Sequence, residues 1–227
     1  MELIEIFETL VKTPSPSLHE EKVADKIIEI LSSKGIAVKK DSYGNVIGKI
    51  EATDENKKPL MLSAHMDVVG DDTVPNLIYK DGFIETDKKR TLGADDKSGV
   101  AVIMKLAMSL KDKLFIPHGG VEFVFTKDEE YSMTGIENVK FDELNSEDIL
   151  VLDSDKLGNF EVSGAGYTKL TVSVHAKKGG HSGLDIADKT RLNAANLTAE
   201  LVGLIPSGVY KSNELGVITS INLGSIV

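Results

Sequence analysis

Three apolar runs in this sequence stop abruptly on residues that carry protons or metals. "PLMLSA" (59–64) leads into His65 and Asp67, "GVEFVFT" (120–126) into Asp128, Glu129 and Glu130, and "DILVL" (148–152) into Asp153. A short continuous apolar run is the pattern of a strand buried on both faces, which needs helices on either side of its sheet. The intervening segments supply them. "MELIEIFETLVKT" has a helical apolar period and is followed by Pro14 and Pro16, which disfavour helix. Val23, Ile27, Ile30 and Leu31 form one stripe of a second helix, with Ser17 and Glu20 at capping-box spacing ahead of it and Gly35 as its C-cap. "KSGVAVIMKLAMSL" (97–110) is a third. "IAVKKD" (36–41) and "NVIGKIE" (45–51) read as further strands, and "LIYKDG" with "FIETD" as a hairpin turning at Asp81-Gly82. Strands alternating with helices predict an α/β fold with a mostly parallel central sheet flanked by helices.

After Gly164-Ala165-Gly166 the pattern changes. "TKLTVSVHAKK" (168–178) alternates as a strand with one solvated face should, the glycine-rich "KKGGHSG" follows, "RLNAANLTAELVGLI" (191–205) is amphipathic, and "LGVITSINLGSIV" is a further strand. We expect one domain over 1–165 and, over 166–227, the start of a second, smaller α+β domain that is incomplete here.

The net charge of −10 argues against a nucleic-acid partner. With no cysteine, thiolate sites and disulfides are excluded, so any metal must be held by His, Asp and Glu, donors suited to catalytic zinc or to manganese and magnesium. The N-terminus has no basic flank of a signal peptide, and no apolar run approaches the roughly 20 residues of a membrane span; a cytoplasmic location is the simplest reading.

In a parallel sheet the ends of the three apolar runs lie on one edge, and "TLGADDKSG" adds Asp95 and Asp96 ahead of a helix. Each piece has a bland explanation. His-x-Asp occurs by chance, paired glutamates commonly start helices, Asp95 could be an N-cap and Asp153 a turn residue. Their shared position at successive strand ends favours convergence, and so many carboxylates together call for a cation. Two divalent metals bridged by one carboxylate are the economical arrangement.

In chain order, "SAHMDVV", "GADDKSG", "FTKDEE", "LDSD" and "GGHSG" resemble the zinc-dependent exopeptidases of the aminoacylase, carboxypeptidase G and peptidase T superfamily. "TLGADDKSGVA" and "LVLDSD" are most similar to the peptidase T-like (tripeptidase) branch, and "KGGHSG" is also similar to the Xaa-His dipeptidase branch. The resemblance implies that His65, Asp95, Glu130 and Asp153 hold two divalent ions, zinc or alternatively manganese or cobalt, with Asp95 shared. It implies that Asp67 orients His65, that Glu129 is the general base toward the attacking water, and that the peptide bond between Asp95 and Asp96 is cis. By the same resemblance 1–165 is the catalytic, metal-binding domain and 166–227 the first half of a lid or dimerisation domain, from which His181 would reach the partner subunit's site in a homodimer and stabilise the oxyanion. His19, His118 and His175 read as surface residues. The implied activity is removal of the N-terminal residue from short peptides, with N-acyl amino acid deacylation, Xaa-His dipeptidase activity or an inactive dimerisation module as alternatives. The family draws a last histidine ligand from a longer chain, and none follows His181 here. The expectation is a truncated form with little or no activity.

Overall fold

The computed structural model describes residues 1–112, 117–164, 166–176, 178, 180–181, 183–185, 187–211 and 218–224. Part of "KKGGHSG" (Lys177, Gly179, Ser182) and much of the last expected strand lie outside them. The chain divides into two compact units, Met1–Val162 and Ser163–Val227.

In the first unit the helices are α1 (Leu3–Val11), α2 (Glu21–Ser33), α3 (Ala94–Lys111) and the short α4 (Thr134–Glu137). The strands are β1 (Ala37–Lys40), β2 (Val46–Ile50), β3 (Leu60–His65), β4 (Leu77–Lys80), β5 (Phe83–Thr86), β6 (Val121–Thr126) and β7 (Asp148–Val151). All four stripe residues of α2 are buried. The helix ends as its glycine predicts: Gly35 sits at φ +68°, its N–H donates to the Ser32 carbonyl, and the Ile36 N–H donates to that of Leu31.

The N-terminus of α2 departs from the sequence reading. Neither Ser17 nor Glu20 caps the helix, because both side chains are bonded elsewhere: Ser17 to Asp67, and Glu20 to the N–H groups of Leu18 and Asp128.

The central sheet runs β1-β2-β6-β3-β7. It is mixed: β3 is parallel to both β6 and β7, whereas β2 is antiparallel to β1 and β6. The parallel half is where the three apolar runs lie. Leu62 pairs with Phe123 and Ala64 with Phe125, and these four face the main core of α1, α2 and α3 residues, including Ile6, Leu10, Ile27, Ile103 and Met104. The opposite face is thinner, built from Met61, Val124 and Val139.

That asymmetry explains a correction. β6 is buried along its whole length, as a strand covered on both faces should be, but β7 is exposed throughout, with Val151 at 58%. β7 is an edge strand, so it has a neighbour on one side alone, and its apolar residues mark a surface among the described residues.

β4 and β5 form the expected hairpin. Its two-residue turn has positive φ at Asp81 and Gly82, as the type I′ geometry requires.

The second unit contains α5 (Ala194–Leu204), capped by the Asn193 side chain on the N–H groups of Ala195 and Asn196, and the antiparallel pair β8 (Gly208–Lys211) and β9 (Ile218–Ile221). The described residues of 168–178 form no strand; they are mostly exposed and have no ladder partner among the described residues. Alternation marks a residue pattern that suits a sheet, but a strand also needs a neighbour to take its N–H and C=O groups. No helix among the described residues is long and apolar enough to cross a membrane.

Candidate metal centre

Because β3 and β6 are parallel and in register from Leu60–Val121 to His65–Thr126, their C-terminal ends open onto one edge. β7 runs the same way, and Leu152 just past its end still donates to the Ser63 carbonyl, so Asp153 emerges beside His65. The N-terminus of α3, which packs on β3, closes the group.

His65 is buried and central. Its Nε2 lies 3.0 Å from Asp95 Oδ1 and 3.9 Å from both Glu129 Oε2 and Asp153 Oδ2. Its Nδ1 faces the other way, 3.0 Å from the carbonyl of Asp67 and 3.4 Å from its Oδ1. A proton on Nδ1 satisfies both oxygens, so Nε2 is the ring atom turned toward the acids and the one that would give its lone pair to a cation held among them.

Asp67 organises the rest. It is fully buried, and its carboxylate accepts the Glu129 N–H at 2.9 Å, the Glu130 N–H at 3.0 Å and the Ser17 hydroxyl at 2.7 Å. Burial alone would raise its pKa, but these donors and His65 outweigh it and hold the carboxyl at about 2. For His65 burial opposes the charged ring, yet the bond to Asp67 and the surrounding carboxylates win and push it up to about 10.

Asp95 and Asp96 point to different environments. The peptide bond joining them is cis, and both fall outside helical φ/ψ at the start of α3. Asp95 is exposed and does not cap the helix, whose N-cap is Gly93. Asp96 is buried and accepts the N–H groups of His65 and Gly99. Burial, then the charge of Asp153, drives Asp96 up to about 8; burial, with Asp95 and Glu129 opposing the pull of His65, drives Asp153 up to about 6. Burial and the neighbouring Asp95 also raise Glu130.

These are the electrostatics of a site built around positive charge. Donor atoms of His65, Asp95 and Glu130 lie within 4.8 Å of one another, and so do those of His65, Asp96 and Asp153. A divalent ion there would reverse the carboxylate shifts and bind the unprotonated imidazole. The residue set therefore fits a metal.

The structure thus brings His65, Asp67, Asp95, Glu129, Glu130 and Asp153 together. His181 belongs to the second unit, where its Nδ1 accepts the N–H groups of Gly183 and Leu184. Asp128 is buried with a positive φ, its carboxylate taking the hydroxyls of Ser132 and Thr134. His19 and His175 are exposed, whereas His118 is half-buried, its Nδ1 accepting the Gly120 N–H.

Three contributors have no role assigned by the sequence: Asp96, which stands beside Asp95 ahead of a helix, Ser17, which has capping-box spacing with Glu20, and Lys97, which opens a helical run. Lys97 is buried, with its ammonium on the Thr13 carbonyl, and burial lowers its pKa to about 7.

Residues 45–187 match the model of peptidase family M28. The chain belongs to that family. Among its relatives, the cytosol non-specific dipeptidase of Escherichia coli K12 is 32% identical over 81% of this chain and 43% of its own length. Peptidase T of Staphylococcus epidermidis is 29% identical over 67% of this chain and 36% of its own. A tripeptidase from Staphylococcus aureus shares the fold with TM-score 0.69 at 24% identity, covering 91% of this chain and 56% of that one. Aminoacylhistidine dipeptidase from Vibrio alginolyticus aligns with TM-score 0.59 at 29% identity, over 88% and 46%. The chain spans about half the length of the relatives it matches. The peptidase T-like resemblance read from the motifs and the α/β fold class are both borne out by this membership and these likenesses.

Proposed function

We propose that this M28 chain carries the catalytic centre of a dinuclear metal-dependent exopeptidase that removes the N-terminal residue from short peptides. The observation that carries the proposal is the His65 imidazole ringed by Asp95, Glu129, Glu130 and Asp153 at the open edge of a parallel β6-β3-β7 array. His65, Asp95, Glu130 and Asp153 would hold two divalent ions, zinc in the first instance, with Asp95 shared between them. When bound, such ions polarise the scissile carbonyl and lower the pKa of the attacking water.

The chain's own residues supply the remainder. Asp67 keeps the His65 proton on Nδ1, so that Nε2 stays a ligand. The Glu129 and Glu130 N–H groups share the Asp67 carboxylate. Consecutive side chains on one pinned backbone then diverge, so Glu130 can ligate while Glu129 takes a proton from the water and returns it to the leaving amine. In the second unit, which we assign as a lid and dimerisation domain from about residue 166, the acceptor role of His181 Nδ1 leaves the proton on Nε2. That N–H suits a carbonyl oxygen acquiring negative charge in a partner's site.

A dipeptidase is the second reading, favoured by the likeness to the Escherichia coli non-specific dipeptidase. The test is a panel of tripeptides, dipeptides and N-acetyl amino acids offered to the full-length protein, with metal content measured in parallel. Glu129→Ala should cut turnover by roughly 10²–10⁴ while metal is retained. Glu130→Ala should lower metal occupancy. Equal metal loss in both variants contradicts the division of roles, and cleavage of N-acetyl amino acids alone replaces the exopeptidase reading with a deacylase.

A further inference from the structure

The eight residues 13–20 between α1 and α2 form no helix, yet they bond to the three segments that carry His65, Asp95 and the Glu129–Glu130 pair. The Thr13 carbonyl takes the Lys97 ammonium at the start of α3. Ser15 donates its hydroxyl to the Met66 carbonyl and accepts the Val68 N–H, gripping the chain on both sides of Asp67. Glu20 accepts the Asp128 N–H and lies 3.2 Å from the Lys127 ammonium at the end of β6. Between these anchors Ser17, fifty residues from Asp67 in sequence, donates to its Oδ2 at 2.7 Å.

The bond from Ser17 differs from the others in what it fixes. Asp67 Oδ1 faces His65 Nδ1 and takes the Glu129 N–H, whereas Oδ2 takes the Glu130 N–H and the Ser17 hydroxyl. The torsion that turns an aspartate carboxylate is soft. The Ser17 hydroxyl adds a second donor to Oδ2 from a separate, anchored segment, and so sets the plane in which Oδ1 meets His65. Its removal leaves the carboxylate free to follow the Glu129–Glu130 loop.

We propose that Ser17 is a positioning residue of the metal centre, acting through Asp67 to hold His65 and the Glu130 backbone in ligating register. This rests on the reading of the cluster as a metal site. Outer contacts of this kind typically change metal affinity by about 10–100-fold.

The test is zinc affinity of the chain, measured by competition with a chromophoric chelator below the lowest unfolding temperature of any variant, together with thermal unfolding of the metal-free proteins. Ser17→Ala should weaken zinc binding about tenfold or more. Ser17→Thr and Ser17→Val share one shape, and Thr should keep most of the affinity while Val loses it, a comparison that stands even if the alanine variant does not fold. Ile27→Val, which trims the apolar core behind α2 and leaves the 13–20 segment untouched, should lower the unfolding temperature and leave zinc affinity unchanged. Unaltered affinity in Ser17→Ala, equal affinity of the Thr and Val variants, or an equal loss in Ile27→Val would each overturn the positioning role. If the unsubstituted chain binds zinc no better than His65→Ala, the metal-centre reading itself fails and takes this role with it.

Discussion

Asp67 ties three segments together at a single residue: β3 through His65, the loop after β6 through Glu129 and Glu130, and the segment before α2 through Ser17. Its replacement by alanine would strand three part-buried donors, the Ser17 hydroxyl and the Glu129 and Glu130 N–H groups, and leave His65 only the backbone carbonyl of residue 67. Breaking one side of a buried charged network costs on the order of 3–5 kcal/mol, so Asp67→Ala should lose about that much in urea unfolding of the metal-free chain. A loss near that of an ordinary surface substitution would show that the network is not what holds these segments. The site residues were legible in unequal measure. His65, Asp95, Glu129, Glu130 and Asp153 could be read because each terminates an apolar run or opens a helix, and fold topology makes such ends meet. Asp96, Ser17 and Lys97 could not, since what distinguishes them is burial, which arises from packing between segments remote in sequence.

Among the elements, β6 was readable because both its faces are covered, and the one acid inside it has a structural purpose. Glu122 accepts the N–H groups of Asn145 and Ser146 and the Ser146 hydroxyl, fastening the turn that leads into β7. Burial raises its pKa, but the Ser146 hydroxyl and these N–H groups more than compensate and hold it below its ordinary value of 4.5. The unfolded chain therefore binds a proton at a higher pH than the folded one. Glu122 contributes stability that is complete above about pH 4.5 and lost as the pH falls through its folded pKa. Glu122→Gln should cost about 1–3 kcal/mol at neutral pH and flatten the acid limb of the stability curve. An unchanged acid limb, followed by urea unfolding across pH 3–6, would contradict this. β7 and the segment 168–178 show the limit of apolar patterning. The first is a strand with an uncovered face, the second an alternating sequence with no described neighbour, and a pattern cannot say whether a partner is at hand.

At the scale of the whole molecule, the mixed sheet keeps its antiparallel strands away from the site and reserves the parallel trio β6-β3-β7 for it, so three loops leave on one edge. That placement follows from topology and was predicted from the alternation of strands and helices. The antiparallel β1 and β2 were not, because their short sequences say nothing of direction. The proposed lid role of the second unit predicts a dimer, with α5 and the β8–β9 pair carrying the contact. Sedimentation equilibrium should detect association, and a monomer at every concentration tested would count against it. The central claim concerns the cluster around His65, and its most direct test is metal content. The chain and its His65→Ala variant are equilibrated with buffered zinc, freed of excess metal and assayed by inductively coupled plasma mass spectrometry. The account predicts stoichiometric zinc in the first and a large loss in the second. Equal zinc in both, or none in either, would contradict it.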